Sequence, residues 1–227
     1  MNAKLYIVST PIGNFEDITL RAITTLKEVD FIVCEELKEA RRLLSNFKIE
    51  KELVSLNEHN ESEASQEIFL KIKEGKSAAL ISDCGTPLFS DPGHLLVQLC
   101  INAQIDVIPI PGASSILPAL VGSGFKIDKF YYAGWLSPKN EQRRKELLRL
   151  KSIKELIVLM ETPYRLKTIL ADIVKVFGGN KKIVIAFDLT LPNEKFYRDN
   201  AASLLKLVTD KKLKGEFVIL INNKSKE

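Results

Sequence analysis

Cysteine is scarce: Cys34, Cys84 and Cys100 are the only three in 227 residues. None stands at metal-ligand spacing and each lies in or beside an apolar run, so they read as reduced core residues of a cytoplasmic protein. Histidine is scarcer, and His59 and His94 are too far apart in sequence to form a local zinc motif. A metal centre therefore has no positive support, and none is expected. No apolar run approaches the length of a membrane span, and Met1-Asn2-Ala3-Lys4 lacks the pattern of a signal peptide. Neither a Walker loop nor a Gly-x-Gly-x-x-Gly fingerprint is present, which argues against nucleotide hydrolysis and ordinary dinucleotide binding. Gly112-Ala113-Ser114-Ser115-Ile116 lacks the final glycine of a nucleophile elbow, which excludes that type of serine hydrolase. Internal repeats and low-complexity tracts are missing too.

What is present is enough apolar material for a sizeable core: 45% hydrophobic residues against 27% charged. The length suits one large domain or two small ones. A net charge of +4 fits an anionic partner, RNA included, without selecting one.

The most informative stretch is Ala78-Ala79-Leu80-Ile81-Ser82-Asp83-Cys84-Gly85-Thr86-Pro87, continuing to Asp91-Pro92-Gly93. A short apolar run gives way to small, polar and turn-forming residues, the pattern of a buried parallel strand opening into a loop. Ligands of open α/β sheets sit beyond such strand ends. Gly85 permits close backbone approach, the prolines stiffen the loop, and Asp83 supplies a carboxylate at its mouth. Taken alone, the loop serves equally well as a capped strand-to-helix turn.

The neighbouring segments repeat the theme. Leu5–Val8, Phe31–Cys34, Leu53–Leu56 and Val107–Ile110 read as further strands, with helices beginning near Asp17, through Arg41 to Phe47, through Ala64 to Ile72, and over His94–Asn102. Alternating strands and helices specify a parallel sheet with helices on both faces, and the strand ends build one rim. The pattern pauses around residues 118–130, where Gly122 and Gly124 fall, so the domains are placed at 1–117 and 118–227. The second, smaller domain is expected to be mixed α/β, with strands at Phe130–Trp135, Glu155–Met160, Ile183–Phe187 and Phe217–Ile221 and a candidate strand at Lys195–Tyr197. A helix ends at Phe177, before Gly178-Gly179. A charged helix after Pro138 carries Lys139, Arg143, Arg144, Lys145 and Arg149, with Lys151 and Lys154 beyond. That stripe could track phosphates, or be the solvated side of a helix packed through Leu147, Leu148 and Leu150.

Together the loops resemble the tetrapyrrole methylase superfamily, whose members use S-adenosylmethionine. The matching pieces are Thr10-Pro11-Ile12-Gly13-Asn14 with Asp17–Ala22, His59-Asn60-Glu61, Ser82–Pro87 with Asp91-Pro92-Gly93, and Pro111–Ser115. Gly134-Trp135-Leu136, Glu161–Leu166 and Lys214-Gly215-Glu216 follow in order. The greatest likeness is to the branch that methylates a cytidine 2′-hydroxyl of 16S ribosomal RNA.

The resemblance implies a two-domain α/β fold, the N-terminal domain on the substrate side, with the cofactor in the cleft and usually a homodimer. It puts cofactor contacts at Pro11, Asp83, Gly85, Thr86, Ser114, Ser115 and Met160, the two serines also capping the next helix. Candidate catalytic groups are Glu35, Asp83 and Glu161, with Lys38, His59 and Lys214 as further rim candidates to activate a hydroxyl. Substrate contacts fall on Asn14, Lys38, His59, Arg143 and Arg144. The chain departs from the family where Glu-Asp-Thr-Arg becomes Glu35-Glu36-Leu37-Lys38 and where Arg-Glu-Leu-Thr-Lys becomes Phe187-Asp188-Leu189-Thr190-Leu191. It also stops without the C-terminal extension of longer members. Lys38 cannot copy arginine's forked geometry. These changes leave open another methyl acceptor, or a relative that binds cofactor or RNA without turnover.

Overall fold

The computed structural model describes residues 3–89 and 91–224; Met1, Asn2, Ser90 and residues 225–227 lie outside it. The chain divides into two compact units, Met1–Ser114 and Ser115–Glu227.

In the first unit, β1 (Lys4–Val8), β2 (Phe31–Cys34), β3 (Glu52–Ser55), β4 (Ala78–Ile81) and β5 (Asp106–Ile110) alternate with α1 (Leu20–Glu28), α2 (Leu37–Asn46), α3 (Glu61–Lys73) and α4 (His94–Asn102). The strands pair in parallel in the order β3-β2-β4-β1-β5. Side chains alternate across each strand, so the two faces bury different sets. Val8, Ile32, Cys34, Ala79 and Ile81 pack with Leu26, Leu43 and Leu44 of α1 and α2. Leu5, Ile7, Phe31, Val33 and Leu80 pack with Ile68, Ile72, Leu96 and Cys100 of α3 and α4. The first helix starts later than Asp17 because Thr19 caps it, its Oγ1 accepting the Ala22 N–H at 3.1 Å. Residues 15–17 instead form a 3-10 turn in which Asn14 Oδ1 accepts the Glu16 N–H. Cys34 and Cys100 are buried, and burial raises both thiols to about 11. Cys84 is exposed, contrary to its expected place in the core, because the chain has left β4 by that point.

The second unit holds α5 (Ile116–Ser123), β6 (Phe130–Trp135), α6 (Asn140–Leu150), β7 (Leu156–Glu161), α7 (Leu166–Phe177), β8 (Lys182–Phe187), β9 (Lys195–Asn200), α8 (Ala201–Lys211) and β10 (Phe217–Asn222). Its sheet also has five strands, ordered β6-β7-β10-β8-β9, with only β6 and β7 parallel. Leu147, Ile169, Ile173 and Leu204 from α6, α7 and α8 bury one face against Ile157, Ile185 and Ile219. Helix α5 contacts β8, β9 and β10. It occupies the expected pause because Pro118 falls in its first turn, where a missing N–H costs nothing. Helix α8, to which the sequence pattern assigned nothing, starts at Asn200, whose Oδ1 accepts the Ser203 N–H at 2.9 Å.

Helix α6 is turned differently from the expected leucine face. Leu148 is 57% exposed, while Arg143 is 1% exposed. Arg143 Nε donates to Asp172 Oδ2 at 2.9 Å, Nη1 donates to the Ser137 and Pro138 carbonyls, and Arg144 Nε donates to Asp172 Oδ1 at 2.8 Å. Arg143 is thus consumed inside the fold and corrects its expected place among the phosphate-tracking cations. Burial pushes the Asp172 carboxyl up, but the arginine hydrogen bonds and charges outweigh it and hold the group below its ordinary range. A lowered folded pKa stabilises at every pH above the ordinary carboxylate value and loses that contribution as pH falls through the lowered one. Asp172→Ala leaves Arg143 buried without a counter-charge, so urea unfolding at neutral pH is expected to show a loss of about 3–5 kcal/mol. The gap narrows in strong acid.

Candidate functional site

Strand order sets the site. In the first unit β1 connects to β2 across β4, and β4 connects to β5 across β1, so the two connections leave in opposite directions. This reversal opens a crevice beyond the strand ends. Thr10 and Gly85 bridge it by exchanging backbone hydrogen bonds of 2.8 and 3.1 Å. Thr10 Oγ1 donates to the Ser82 carbonyl at 3.3 Å, and Ser82 Oγ donates to the Cys84 carbonyl at 3.1 Å. Gly85 has φ +80°, a conformation that costs other residues a Cβ clash.

The β5 end is fastened to the same point. The Thr86 and Ser9 hydroxyls lie 3.1 Å apart, and Thr86 Oγ1 donates to the Ala113 carbonyl at 3.3 Å. A Cβ on Gly112 would stand 2.9 Å from Ser9 Cβ and 3.2 Å from the Ser9 carbonyl oxygen. On the other side, the Glu36 N–H donates to Asp83 Oδ1 at 3.2 Å, and Ser55 Oγ donates to the Glu35 carbonyl. His59 is exposed on a turn closed by Asn57 and Asn60, its N–H donating to Asn57 Oδ1 at 3.0 Å.

The rim is acidic. Burial raises the Glu35 carboxyl, and Asp83, Asp91, Glu58 and Glu36 add to the rise. Asp83 is raised first by burial, the Glu36 N–H opposing and the Glu36 and Glu39 charges reinforcing. Asp91 is raised by burial and then by Asp83. Crowded carboxylates of this kind favour a cation among them. Among the described residues no His, Cys, Asp and Glu group is arranged to hold a metal ion, and no helix is long and apolar enough to cross a membrane.

Of the expected residues, Pro11, Asp83, Gly85, Thr86 and Ser114 come from the β1, β4 and β5 ends of the first unit, with Asn14, Glu35, Lys38 and His59 on its adjoining loops and helix start. Pro11 is buried, whereas Asn14 and Lys38 are exposed. Ser115 opens the second unit at the N-cap of α5, yet its hydroxyl makes no capping hydrogen bond there. Met160, Glu161, Arg143 and Arg144 also belong to the second unit. Met160 Sδ accepts the Tyr132 O–H at 3.2 Å, and Lys214 lies 5.1 Å from the Tyr164 ring centroid.

Glu161 is 2% exposed and bound internally. Its Oε1 accepts the Thr162 N–H at 2.7 Å and Arg165 Nε at 2.6 Å, and Arg165 Nη2 donates to the Leu136 carbonyl at 3.1 Å. This arrangement suits it to fixing the turns after β6 and β7 rather than to meeting a substrate. Ser9, Asp91 and Arg165 carry no site role in the sequence reading, although Asp91 and Arg165 fall within its matching pieces. Ser9 carries a legible signal as the polar residue directly after the apolar β1 run.

Two outcomes follow. Gly112→Ala is expected to push the β1 and β5 ends apart and lower the thermal midpoint, because neither Ser9 Cβ nor its carbonyl can swing aside. Asp83→Asn is expected to raise the midpoint at pH 7, since the amide oxygen still accepts the Glu36 N–H without a crowded charge. The raised folded pKa means that the wild type is penalised at neutral pH and relieved as pH falls, so the difference should vanish below about pH 4 in a pH series of melts.

The family model of tetrapyrrole (corrin/porphyrin) methylases matches residues 4–205. A "Ribosomal RNA small subunit methyltransferase I" of Thermotoga maritima is 40% identical over 221 residues, covering 97% of this chain and 99% of that protein. Its Synechocystis counterpart is 40% identical over 217 residues, covering 96% and 78%. A solved cobalt precorrin-4 methyltransferase of cobalamin biosynthesis superposes with a TM-score of 0.72 at 18% identity, over 97% of this chain and 95% of that one. That likeness speaks to fold alone. Matched from β1 into α8, the chain belongs to the tetrapyrrole (corrin/porphyrin) methylase family.

Proposed function

We propose that this chain is an S-adenosylmethionine-dependent methyltransferase that methylates a cytidine 2′-hydroxyl of 16S ribosomal RNA. The carrying observation is the 40% identity, spanning 97% of this chain and 99% of its Thermotoga maritima relative, to a protein named for methylating small-subunit ribosomal RNA. The rim is chemically suited to the cofactor. Its carboxylates favour a ligand bearing a sulfonium and an ammonium.

Asp83, Thr86 and the backbone at Pro11, Gly85 and Ser114 would hold the polar parts of the cofactor. Once bound, the cofactor supplies an electrophilic methyl group. The chain's task is alignment: holding the ribose hydroxyl in line can lower the barrier by about 7–11 kcal/mol in favourable cases. A 2′-hydroxyl is a weak nucleophile and needs its proton taken. Glu35 is the favoured acceptor, because burial and its neighbours raise its affinity for a proton. Asn14, Lys38, His59 and Arg144 would meet the RNA. The same reading takes the working form to be a cytoplasmic homodimer acting on the small ribosomal subunit.

Calorimetry with S-adenosylmethionine, followed by transfer to small subunits from a strain lacking the modification, tests the reading. Expected are binding, a 2′-O-methylcytidine found by nucleoside mass spectrometry, and at least a tenfold weaker cofactor affinity in Asp83→Ala, about 1.4 kcal/mol. Binding without transfer, or transfer to a base, overturns the assignment.

A further inference from the structure

A groove of about 570 Å³ lies where α2 ends and β3 begins, lined by Arg41, Leu44, Ser45, Lys48, Ile49, Glu50, Lys51 and Leu53. That volume suits a nucleotide-sized occupant. Leu44 and Ile49 are buried apolar lining residues, and three of the lining side chains are cationic against one carboxylate, Glu50. Lys51 is partly occupied, its Nζ donating to the Val29 carbonyl at 2.7 Å. Arg41 and Lys48 have no ion-pair partner among the described residues, unlike Arg42, which pairs with Glu39 and stacks 5.6 Å from the Phe15 ring centroid.

The cations are ordered along the helix. Lys38, Arg41 and Ser45 are exposed at spacings of three and four residues, one stripe down one face of α2, and Lys48 is exposed in the turn just past its end. The stripe starts beside Glu36, whose N–H is held by Asp83 at the rim, and ends in the groove. Arg41 stands within α2 and Lys48 in the turn that follows it, and both line the groove. Lys48 has φ +54°, just past the end of α2 where glycine would sit without strain. Lysine there carries a conformational cost.

We propose that this stripe and groove form a docking track for single-stranded RNA, carrying the substrate strand away from the rim with phosphates on Arg41 and Lys48 and the strand lying in the groove beside Ser45 and Leu53. The track rests on the reading of the chain as an RNA methyltransferase and adds a second contact region remote from the reacting atoms.

The full-length Arg41→Ala/Lys48→Gly variant separates the possibilities. Binding of a short labelled cytidine-containing RNA strand is measured directly across a salt series, with S-adenosylmethionine affinity and methyl transfer measured in parallel. Expected are RNA binding weakened about tenfold or more and a log–log salt slope shallower by about 1 to 1.5, at roughly 0.7 per lost phosphate contact. KM for RNA should rise while kcat and cofactor affinity hold. Lys48→Gly alone should raise the melting midpoint, showing that lost binding is not lost folding. Unchanged RNA affinity and slope overturn the track and leave the methyltransferase reading standing. Absent transfer by the wild type, with the slope still altered in the variant, overturns that reading and leaves the track. Inorganic phosphate displacing the RNA at constant ionic strength would mark a small-anion site and overturn the track.

Discussion

Everything at the candidate site depends on two backbone hydrogen bonds between Thr10 and Gly85. They join strands that are neighbours in the sheet and far apart in the chain, at the point where the crossovers part company. Gly85 is in a left-handed conformation, with Ile12 Cγ2 3.3 Å from where its Cβ would be. Hydroxyls of Ser9, Thr10, Ser82 and Thr86 then tie the β1, β4 and β5 ends together, leaving few degrees of freedom in the loops. Such a rim is ordered before any ligand arrives, which limits the entropy lost on binding.

The two units differ in how they use most of their partly buried charge. The second unit pairs buried ions, Asp172 with Arg143 and Arg144 and Glu161 with Arg165, although Asp188 and Glu216 crowd one another there. The first unit gathers Glu35, Asp83 and Asp91, all raised first by burial, with Asp83 adding to the rise of the other two. Ion pairs of the first kind hold a fold, while unmatched carboxylates weaken it and favour a cation among them. The loss of stability at the rim is local, because apolar clusters back both faces of the sheet beneath it.

Much of this was legible in the sequence, and the reasons differ by element. Ala78–Ile81 could be read because a strand buried on both faces is simply an apolar run, and Asp83 to Pro87 because turn residues follow it at once. Helix α5 was hidden by Pro118 and Gly122, which usually interrupt a helix but here fall in its first turn and against the Phe196 ring. The edge strand β9, Lys195–Asn200, alternates too weakly to announce itself beyond its aromatic centre. Arg143 could not be told from its neighbours on α6 because its partner, Asp172, lies 29 residues away. Periodicity reports the face of a helix and not a long-range ion pair.

The strand order has a consequence for biosynthesis. β1 finds its partners only in β4 and β5, so Leu5, Tyr6, Ile7 and Val8 have no sheet neighbour until residues 78–110 have left the ribosome. A parallel sheet closed by such distant segments is slow to assemble, and its first strand stays apolar and unpaired while translation proceeds. The nascent chain is therefore a natural client for chaperones that shield extended apolar segments near the tunnel exit.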